Sequence, residues 1–128
     1  MTRINLGIPP KTLTDKHLIA EHREIKRIPN HLRKHGDKCL KKAPPKFTLG
    51  KGHVLFFIAY GEYTFQRYVQ IHEECKARGF NVTDFSAAWL IYTKYPALYN
   101  NYTPPLIEVL SIRERLMDKN PKYAKLWG

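Results

Sequence analysis

A chain of 128 residues is long enough for one hydrophobic core and too short for two, so we expect a single domain over residues 1–128. Lys and Arg number 22 against 11 Asp and Glu, and the resulting formal net charge of +11 indicates a polyanionic partner. Residues 1–53 carry 13 basic and 4 acidic side chains, against 9 and 7 in residues 54–128, so the N-terminal part is the expected contact.

The sequence also predicts the compartment. The longest apolar run, residues 54–60, is far too short to cross a membrane, and residues 1–10 lack the apolar core of a signal peptide, so we expect neither membrane insertion nor export. Cys39 and Cys75 share no CxxC spacing, and two cysteines do not make a disulfide scaffold. A reducing cytoplasm is the expected location.

The first predicted helix runs from about Asp15 to His35 and ends at Gly36. Thr12 or Thr14 provides its N-cap. Pro29 lies inside this stretch, and because proline lacks a backbone N–H we expect it to kink the helix or end it early.

A projection of this helix at about 100° per residue separates two faces. The largely apolar side consists of Thr14, Leu18, Ile25, Ile28 and Leu32, and the opposite, basic side consists of Lys16, Arg23, Arg27 and Lys34. Glu24 falls on the flank between them, in line with His17 and one turn from Arg27. On the helix alone, a solvated charged face with an ordinary ion pair is favoured over a binding surface.

Two motifs in the middle of the chain resemble a metal site and a nucleotide-binding loop, and neither pattern is complete. His31 and His35 have the spacing of a shared metal site, but no motif supplies a third ligand, so solvated or phosphate-contacting histidines are favoured. Residues 49–54 read LGKGHV, which lacks the GxxxxGK[ST] pattern of a nucleotide-phosphate loop. We expect a tight turn that carries Lys51 and His53 near the core.

Two further helices complete a predicted three-helix, loop-rich all-α fold. One runs from about Tyr63 to Arg78 and stops at Gly79. The other opens with the N-cap and first-turn pair Thr103-Pro104 and ends before Pro121. In the tail NPKYAKLWG, the aromatic rings either stack on bases or pack the terminus against the domain, and the sequence leaves both open.

Several segments together resemble a known enzyme family. They are MTRINL at the start, DKHLIAEHREIKR in the first helix, LRKH at its end, LGKGHVLFF, ECKARGFN, and ERL in the third helix. In this order and over nearly the whole chain they resemble the phage pyrimidine-dimer DNA glycosylase and abasic-site lyase family, the ultraviolet-repair endonuclease V family. The first-helix block is the most specific part.

The resemblance implies a mainly helical domain whose N-terminal segment passes between helices and emerges at the DNA-binding face. Met1 is then removed, and the α-amine of Thr2 attacks C1′ of the 5′ pyrimidine in a cyclobutane dimer. The glycosidic bond breaks, a Schiff base forms, and β-elimination cuts the strand. Glu24 aligns with the family's essential carboxylate, which assists proton transfers and stabilises cationic sugar character.

The resemblance also implies the partner and its contacts. The partner is double-stranded DNA with pyrimidine dimers or abasic sites, bound by a monomer without a metal or other cofactor, in the bacterial host if a phage encodes the chain. The expected DNA-contacting residues, including Lys34 from the basic side of the first helix, are Arg3, His17, Arg23, Arg27, Lys34, Arg115, Lys119 and Lys125.

The chain departs from the family pattern at several places. His22 stands where the best-known member has tyrosine, Pro29 is shifted, and one residue is inserted between Leu6 and His17. The aromatic-rich tail shortens to Tyr123, Leu126 and Trp127. Two alternatives therefore stay open: a glycosylase and lyase with a shifted or broadened lesion range, and a non-catalytic basic protein that coats nucleic acid.

Overall fold

A computed structural model describes residues 4–49 and 52–127. Within these ranges the chain forms six α-helices joined by loops and four 3₁₀-helices, without a β-strand, which confirms the all-α prediction. The α-helices are α1 Asp15–Glu24, α2 Arg27–His35, α3 His53–Ile58, α4 Gly61–Ala77, α5 Leu106–Lys119 and α6 Lys122–Trp127. The 3₁₀-helices are Pro10–Thr12, Gly36–Lys42, Ser86–Thr93 and Pro96–Leu98.

The first predicted helix is divided into α1 and α2, as the position of Pro29 anticipates. Thr14 is the N-cap, and its side chain accepts a hydrogen bond from the His17 backbone N at 3.4 Å. Pro29 has no N–H for the carbonyl of Ile25, and it lies in the first turn of α2, where proline is tolerated. Gly36 ends α2 with a φ of 66°, in the left-handed region that favours glycine.

The second predicted helix corresponds to α4, which starts two residues earlier than expected, at Gly61. A side chain at this position would meet the ring of Tyr92 at 2.6 Å, so the close approach between α4 and the 3₁₀-helix Ser86–Thr93 requires glycine. The helix ends at Ala77, and Phe80 N donates to Cys75 O at 2.9 Å just beyond it. That closing bond satisfies one of the carbonyls left open at the helix end.

The third predicted helix corresponds to α5, and its predicted cap is wrong. The helix begins at Leu106 after Pro105, and no side chain caps it, so Thr103 does not act as the N-cap. The end at Lys119, before Pro121, agrees with the prediction. The structure adds two six-residue helices, α3 in a stretch that the sequence left as a connection and α6 in the tail.

The N-terminal segment 4–8 runs through the interior of the domain, as expected. Ile4, Leu6 and Ile8 are completely buried in the common hydrophobic core, and Asn5 is 4% exposed. The segment is hydrogen-bonded to side chains from α1, α3, α4 and α5. It therefore passes between helices, and residues 1–3, which include the predicted Thr2 and Arg3, lie outside the described residues.

The C-terminal tail packs against the domain through Tyr123. This residue is 1% exposed, and its hydroxyl accepts a hydrogen bond from Thr14 N at 2.8 Å, at the start of α1. Its ring stacks on Trp127 with 5.0 Å between ring centroids. For Tyr123, packing is thus the correct alternative. No helix in the described part of the chain is long and apolar enough to cross a membrane.

Candidate functional site

The N-terminal segment is fastened to α1 and α5 by the side chain of Asn5. Its Nδ2 donates to Glu21 Oε1 on α1 at 2.8 Å, and its Oδ1 accepts from Arg115 Nη2 on α5 at 3.0 Å. The amide thus uses its donor and its acceptor on two different helices. This contact brings the predicted DNA-binding residue Arg115 to the point where the segment crosses the domain.

A buried ion pair between α4 and α1 also holds the N-terminal segment. Arg67 on α4 donates through Nε to Glu21 Oε2 at 2.7 Å and through Nη2 to Glu21 Oε1 at 3.1 Å. A third Arg67 donor, Nη1, reaches the carbonyl oxygen of Ile8. Burial alone would lower the pKa of Arg67, but the neighbouring Glu21 carboxylate outweighs burial and raises it. The guanidinium therefore stays charged and holds both α1 and the N-terminal segment.

His53, at the start of α3, makes a second attachment to the segment. Its Nε2 lies 2.9 Å from the backbone N of Ile4, and its Nδ1 lies 2.7 Å from the carbonyl oxygen of Thr48. The ring is 2% exposed, which agrees with the expectation that His53 lies near the core. Gly50 and Lys51, which belong to the same predicted turn, lie outside the described residues.

Glu24 is a partly buried carboxylate at the end of α1. Its side chain is 16% exposed, whereas those of Arg23 and Arg27 beside it are 65% and 58% exposed. Arg27 Nη1 lies 3.3 Å from Glu24 Oε2, within ion-pair distance. This oxygen is buried and has no hydrogen-bond partner among the described residues. A carboxylate in this state can accept a proton or stabilise a nearby positive charge.

Glu24 and Glu21 are one turn apart on α1, and His17 lies one further turn toward its N-terminus. Residues spaced by three and four along an α-helix share a face, so all three lie on the side of α1 that the N-terminal segment crosses. Burial, followed by the charges of Arg115, Lys16 and Lys119, lowers the pKa of His17. The structure therefore brings His17, Arg115 and Lys119 into one electropositive neighbourhood.

The side chain of His17 is also held by the C-terminal tail. Its Nδ1 lies 2.7 Å from the hydroxyl of Tyr123, and the two rings stack with 5.5 Å between centroids. Trp127 in turn has the guanidinium of Arg113 over its ring at 5.4 Å. The tail thus takes part in the electropositive neighbourhood by orienting His17.

Two other predicted DNA contacts lie apart from these interactions. Lys34, in the last turn of α2, and Lys125, on α6, are both exposed. No described contact connects either of them to Glu24 or to Asn5. Their placement on the surface is compatible with phosphate contacts, and the structure leaves their role as a prediction.

Among the described residues, no third metal-ligating side chain joins the histidine pair on α2. The rings of His31 and His35 lie 4.5 Å apart between centroids. Across residues 4–49 and 52–127, no group of three histidine, cysteine, aspartate or glutamate side chains is placed to hold a metal ion.

Sequence reasoning missed Asn5, Glu21 and Arg67. Glu21 lies one turn from Glu24, and its burial is signalled only by its position near the apolar face of α1. Arg67 lies 46 residues away from Glu21, and no sequence spacing connects the two. Asn5 is a polar residue between Ile4 and Leu6, and this alternation was the available signal of a segment with one polar contact in the core.

A comparison with protein families identifies the chain. The profile of the pyrimidine dimer DNA glycosylase family matches residues 1–87, which include the N-terminal segment, α1 to α4, and the residues Glu21, Glu24, His53 and Arg67. Arg115, Lys119 and Lys125 lie beyond the matched region. The resemblance noted in the sequence is thereby confirmed, and the chain belongs to the pyrimidine dimer DNA glycosylase family, DNA-repair enzymes that cleave a glycosidic bond at a pyrimidine dimer.

Proposed function

We propose that this glycosylase is bifunctional and uses the α-amine of Thr2, exposed by removal of Met1, as its nucleophile. The amine nitrogen bonds to C1′ of the 5′ pyrimidine nucleotide, the glycosidic bond breaks, and the electron pair of that bond leaves with the base. Loss of a proton from nitrogen and opening of the sugar give the Schiff base. Removal of a C2′ proton then expels the 3′ phosphate, which is the lyase step.

The attachment of the N-terminal segment supports this proposal. A nucleophile must be held close to the reacting carbon, and Ile4 and Asn5, which follow Thr2 by two and three residues, are fixed by hydrogen bonds to α1, α3 and α5. An α-amine also has a pKa well below that of a lysine side chain, so a larger fraction of it is neutral and nucleophilic at cellular pH.

Glu24 is the proposed acid–base residue. Its buried Oε2, which lacks a hydrogen-bond partner among the described residues, is available to exchange a proton with the amine or the sugar. As a carboxylate, Glu24 also stabilises positive charge on the sugar as the base departs. This partly buried carboxylate is the single observation that carries the proposal, since a protein that only coats DNA has no use for it.

The substrate is double-stranded DNA with cyclobutane dimers or abasic sites, bound by a monomer. His17, Arg23, Arg27, Arg115 and Lys119 are the phosphate and lesion contacts that the described geometry supports best. Arg3 and Lys125 are proposed from the resemblance, and Lys34 from its place on the basic side of the first predicted helix. Binding by such cations releases counterions from DNA, so we expect affinity to fall steeply with salt.

Borohydride trapping tests the mechanism. Protein with a free Thr2 amine is mixed with a duplex that contains one cyclobutane dimer, and borohydride is added to reduce any Schiff base to a stable covalent complex. We expect a complex with the wild-type chain and none with a chain whose Thr2 amine is blocked by retained Met1 or an N-terminal tag. The proposal is wrong if the wild type fails to form the complex or if the blocked chain still forms it.

A second candidate is the same chemistry with a shifted or broadened lesion range. The burial of Tyr123, which contacts Thr14 and His17 rather than solvent, favours it because this ring is not free to stack on a damaged base. Trapping on duplexes with a cyclobutane dimer, an abasic site or a 6-4 photoproduct distinguishes the candidates. Equal or faster trapping on the 6-4 photoproduct supports the broadened range.

A further inference from the structure

We propose that His53 is a positioning residue that sets the location of the nucleophilic end of the chain. The inference rests on the proposed function of the Thr2 amine and concerns how this amine is held. His53 itself is too deeply buried to be offered as a group that contacts DNA, with 2% of its surface exposed. His53 instead positions the N-terminal segment through its hydrogen bond with the backbone N of Ile4, two residues after Thr2.

The two hydrogen bonds of the ring determine where its proton lies. The carbonyl oxygen of Thr48 only accepts, so Nδ1, at 2.7 Å, carries the hydrogen and donates it. In the neutral ring Nε2 is then an acceptor, which matches the N–H of Ile4 at 2.9 Å. Thr48 therefore selects the tautomer that can bind the N-terminal segment.

Aromatic neighbours fix the plane of the ring. Phe57 contacts His53 edge to face with 5.1 Å between ring centroids, and Phe47 does so with 5.7 Å. Because the ring is enclosed by these residues, its Nε2 is held at one place and in one direction. The acceptor offered to Ile4 is thus rigid.

The position of this contact in the chain gives it a kinetic consequence. The Ile4 side chain is completely buried and Asn5 is bound to α1 and α5, so the His53 contact is the last described attachment before residues 1–3. A displacement of about 1 Å at a reacting group can cost roughly 100-fold in rate. Loss of the contact should therefore slow attack by the amine and leave binding of DNA by the basic residues nearly unchanged.

Two isosteric variants separate the contact from the fold. In His53→Gln the side-chain amide replaces Nε2 and can accept from Ile4, whereas in His53→Asn the amide replaces Nδ1 and can bind Thr48 only. Both remove the aromatic ring, so they share the loss of packing against Phe47 and Phe57. We expect borohydride trapping on dimer duplex to be at least about tenfold slower in His53→Asn than in His53→Gln, with dissociation constants within about twofold of each other.

Equal trapping rates in the two variants, or a difference confined to DNA affinity, would overturn the proposal. Should both variants fail to fold, replacement of Ile4 by its α-hydroxy acid analogue removes the donated N–H while leaving every side chain in place, and the same slow trapping is expected from it. A wild type that traps and an N-terminally blocked chain that does not would show that the proposed mechanism stands even where the role of His53 fails. Without trapping by the wild type, the mechanism itself fails.

Discussion

Arg67 on α4 and Glu21 on α1 form an ion pair in the interior of the domain, with 2.7 Å between Nε and Oε2. The two side chains are 4% and 1% exposed, and further hydrogen bonds join Glu21 to Asn5 and to Arg67 Nη2, and Arg67 Nη1 to the carbonyl oxygen of Ile8. A buried pair of this kind repays the cost of removing two charges from water only when its hydrogen bonds are complete. The N-terminal segment supplies two of these hydrogen-bond partners, Asn5 and Ile8.

The first prediction concerns removal of this guanidinium. Arg67→Met leaves the Glu21 carboxylate buried without its counter-charge, so we expect the free energy of unfolding to fall by about 3–5 kcal/mol. Urea denaturation measures it. Lys76→Met, an exposed change on the same helix, is the control and should alter stability by less than about 0.5 kcal/mol. Similar small effects of both substitutions would show that the pair does not hold the fold together.

A second prediction follows from the buried histidine His22. Burial, then the neighbouring His72 and Lys26, lowers the pKa of His22 below its ordinary value of 6.5. His22 Nε2 lies 2.9 Å from His72 Nδ1, a contact that needs one nitrogen without a proton. The unfolded chain therefore binds more protons around and below pH 6.5, and the contribution of His22 to stability is lost as the pH falls from this unfolded value through the lower pKa of the folded state.

We accordingly expect the free energy of unfolding to decrease between pH 7 and pH 5, and to decrease less in His22→Gln, which cannot titrate in this range. Urea denaturation at a series of pH values measures both curves. The lowered pKa of His17 acts in the same direction and remains in the variant, so part of the decrease should persist. Parallel curves for the wild type and His22→Gln would contradict the assignment to His22.

The helix boundaries of this fold were predictable mainly where glycine or proline marks them. Glycines and prolines predicted where the long helices end and where α1 and α2 divide. Glycine adopts the positive φ that ends a helix and proline lacks a backbone N–H, and the residues concerned are Gly36, Gly79, Pro121 and Pro29. Thr103 failed as a cap because two prolines follow it, and the helix starts only after Pro105. The short helices α3 and α6 have fewer than two turns, too few for a periodic pattern.

Some residues of the candidate site could be predicted from the sequence, and others could not. Glu24 could be singled out because it lies between the two faces of α1, beside the arginines that surround it in the structure. Glu21, Arg67 and His53 act through contacts with residues 16 to 59 positions away in the chain. Such contacts are created by the packing of the helices around residues 4–8, and no local spacing encodes them.

The third prediction addresses catalysis by Glu24. Glu24→Gln keeps the shape of the side chain and removes its charge, and since its ion-pair partners Arg23 and Arg27 are mostly exposed, we expect the free energy of unfolding to fall by less than about 1 kcal/mol. Cleavage of the glycosidic bond at the dimer should slow by about 100-fold or more, the usual contribution of a positioned acid or base. A single-turnover glycosylase assay measures the rate. Glu73→Gln, at an exposed position of α4, is the matched control. A wild-type rate in Glu24→Gln would remove Glu24 from the mechanism.

The last prediction concerns Lys119 and distinguishes binding to DNA phosphates from recognition of the lesion. Lys119 is exposed at the end of α5, and its charge acts on His17, which places it in the electropositive neighbourhood at the crossing of the N-terminal segment. If it contacts one phosphate, Lys119→Gln reduces the slope of log K against log salt by about 0.9 and weakens damaged and undamaged duplex alike. Lys76→Gln, which lies at the exposed end of α4, should leave the slope unchanged. A loss of affinity in Lys119→Gln that is confined to dimer-containing duplex would instead make Lys119 a lesion contact, because a phosphate contact carries no information about the base.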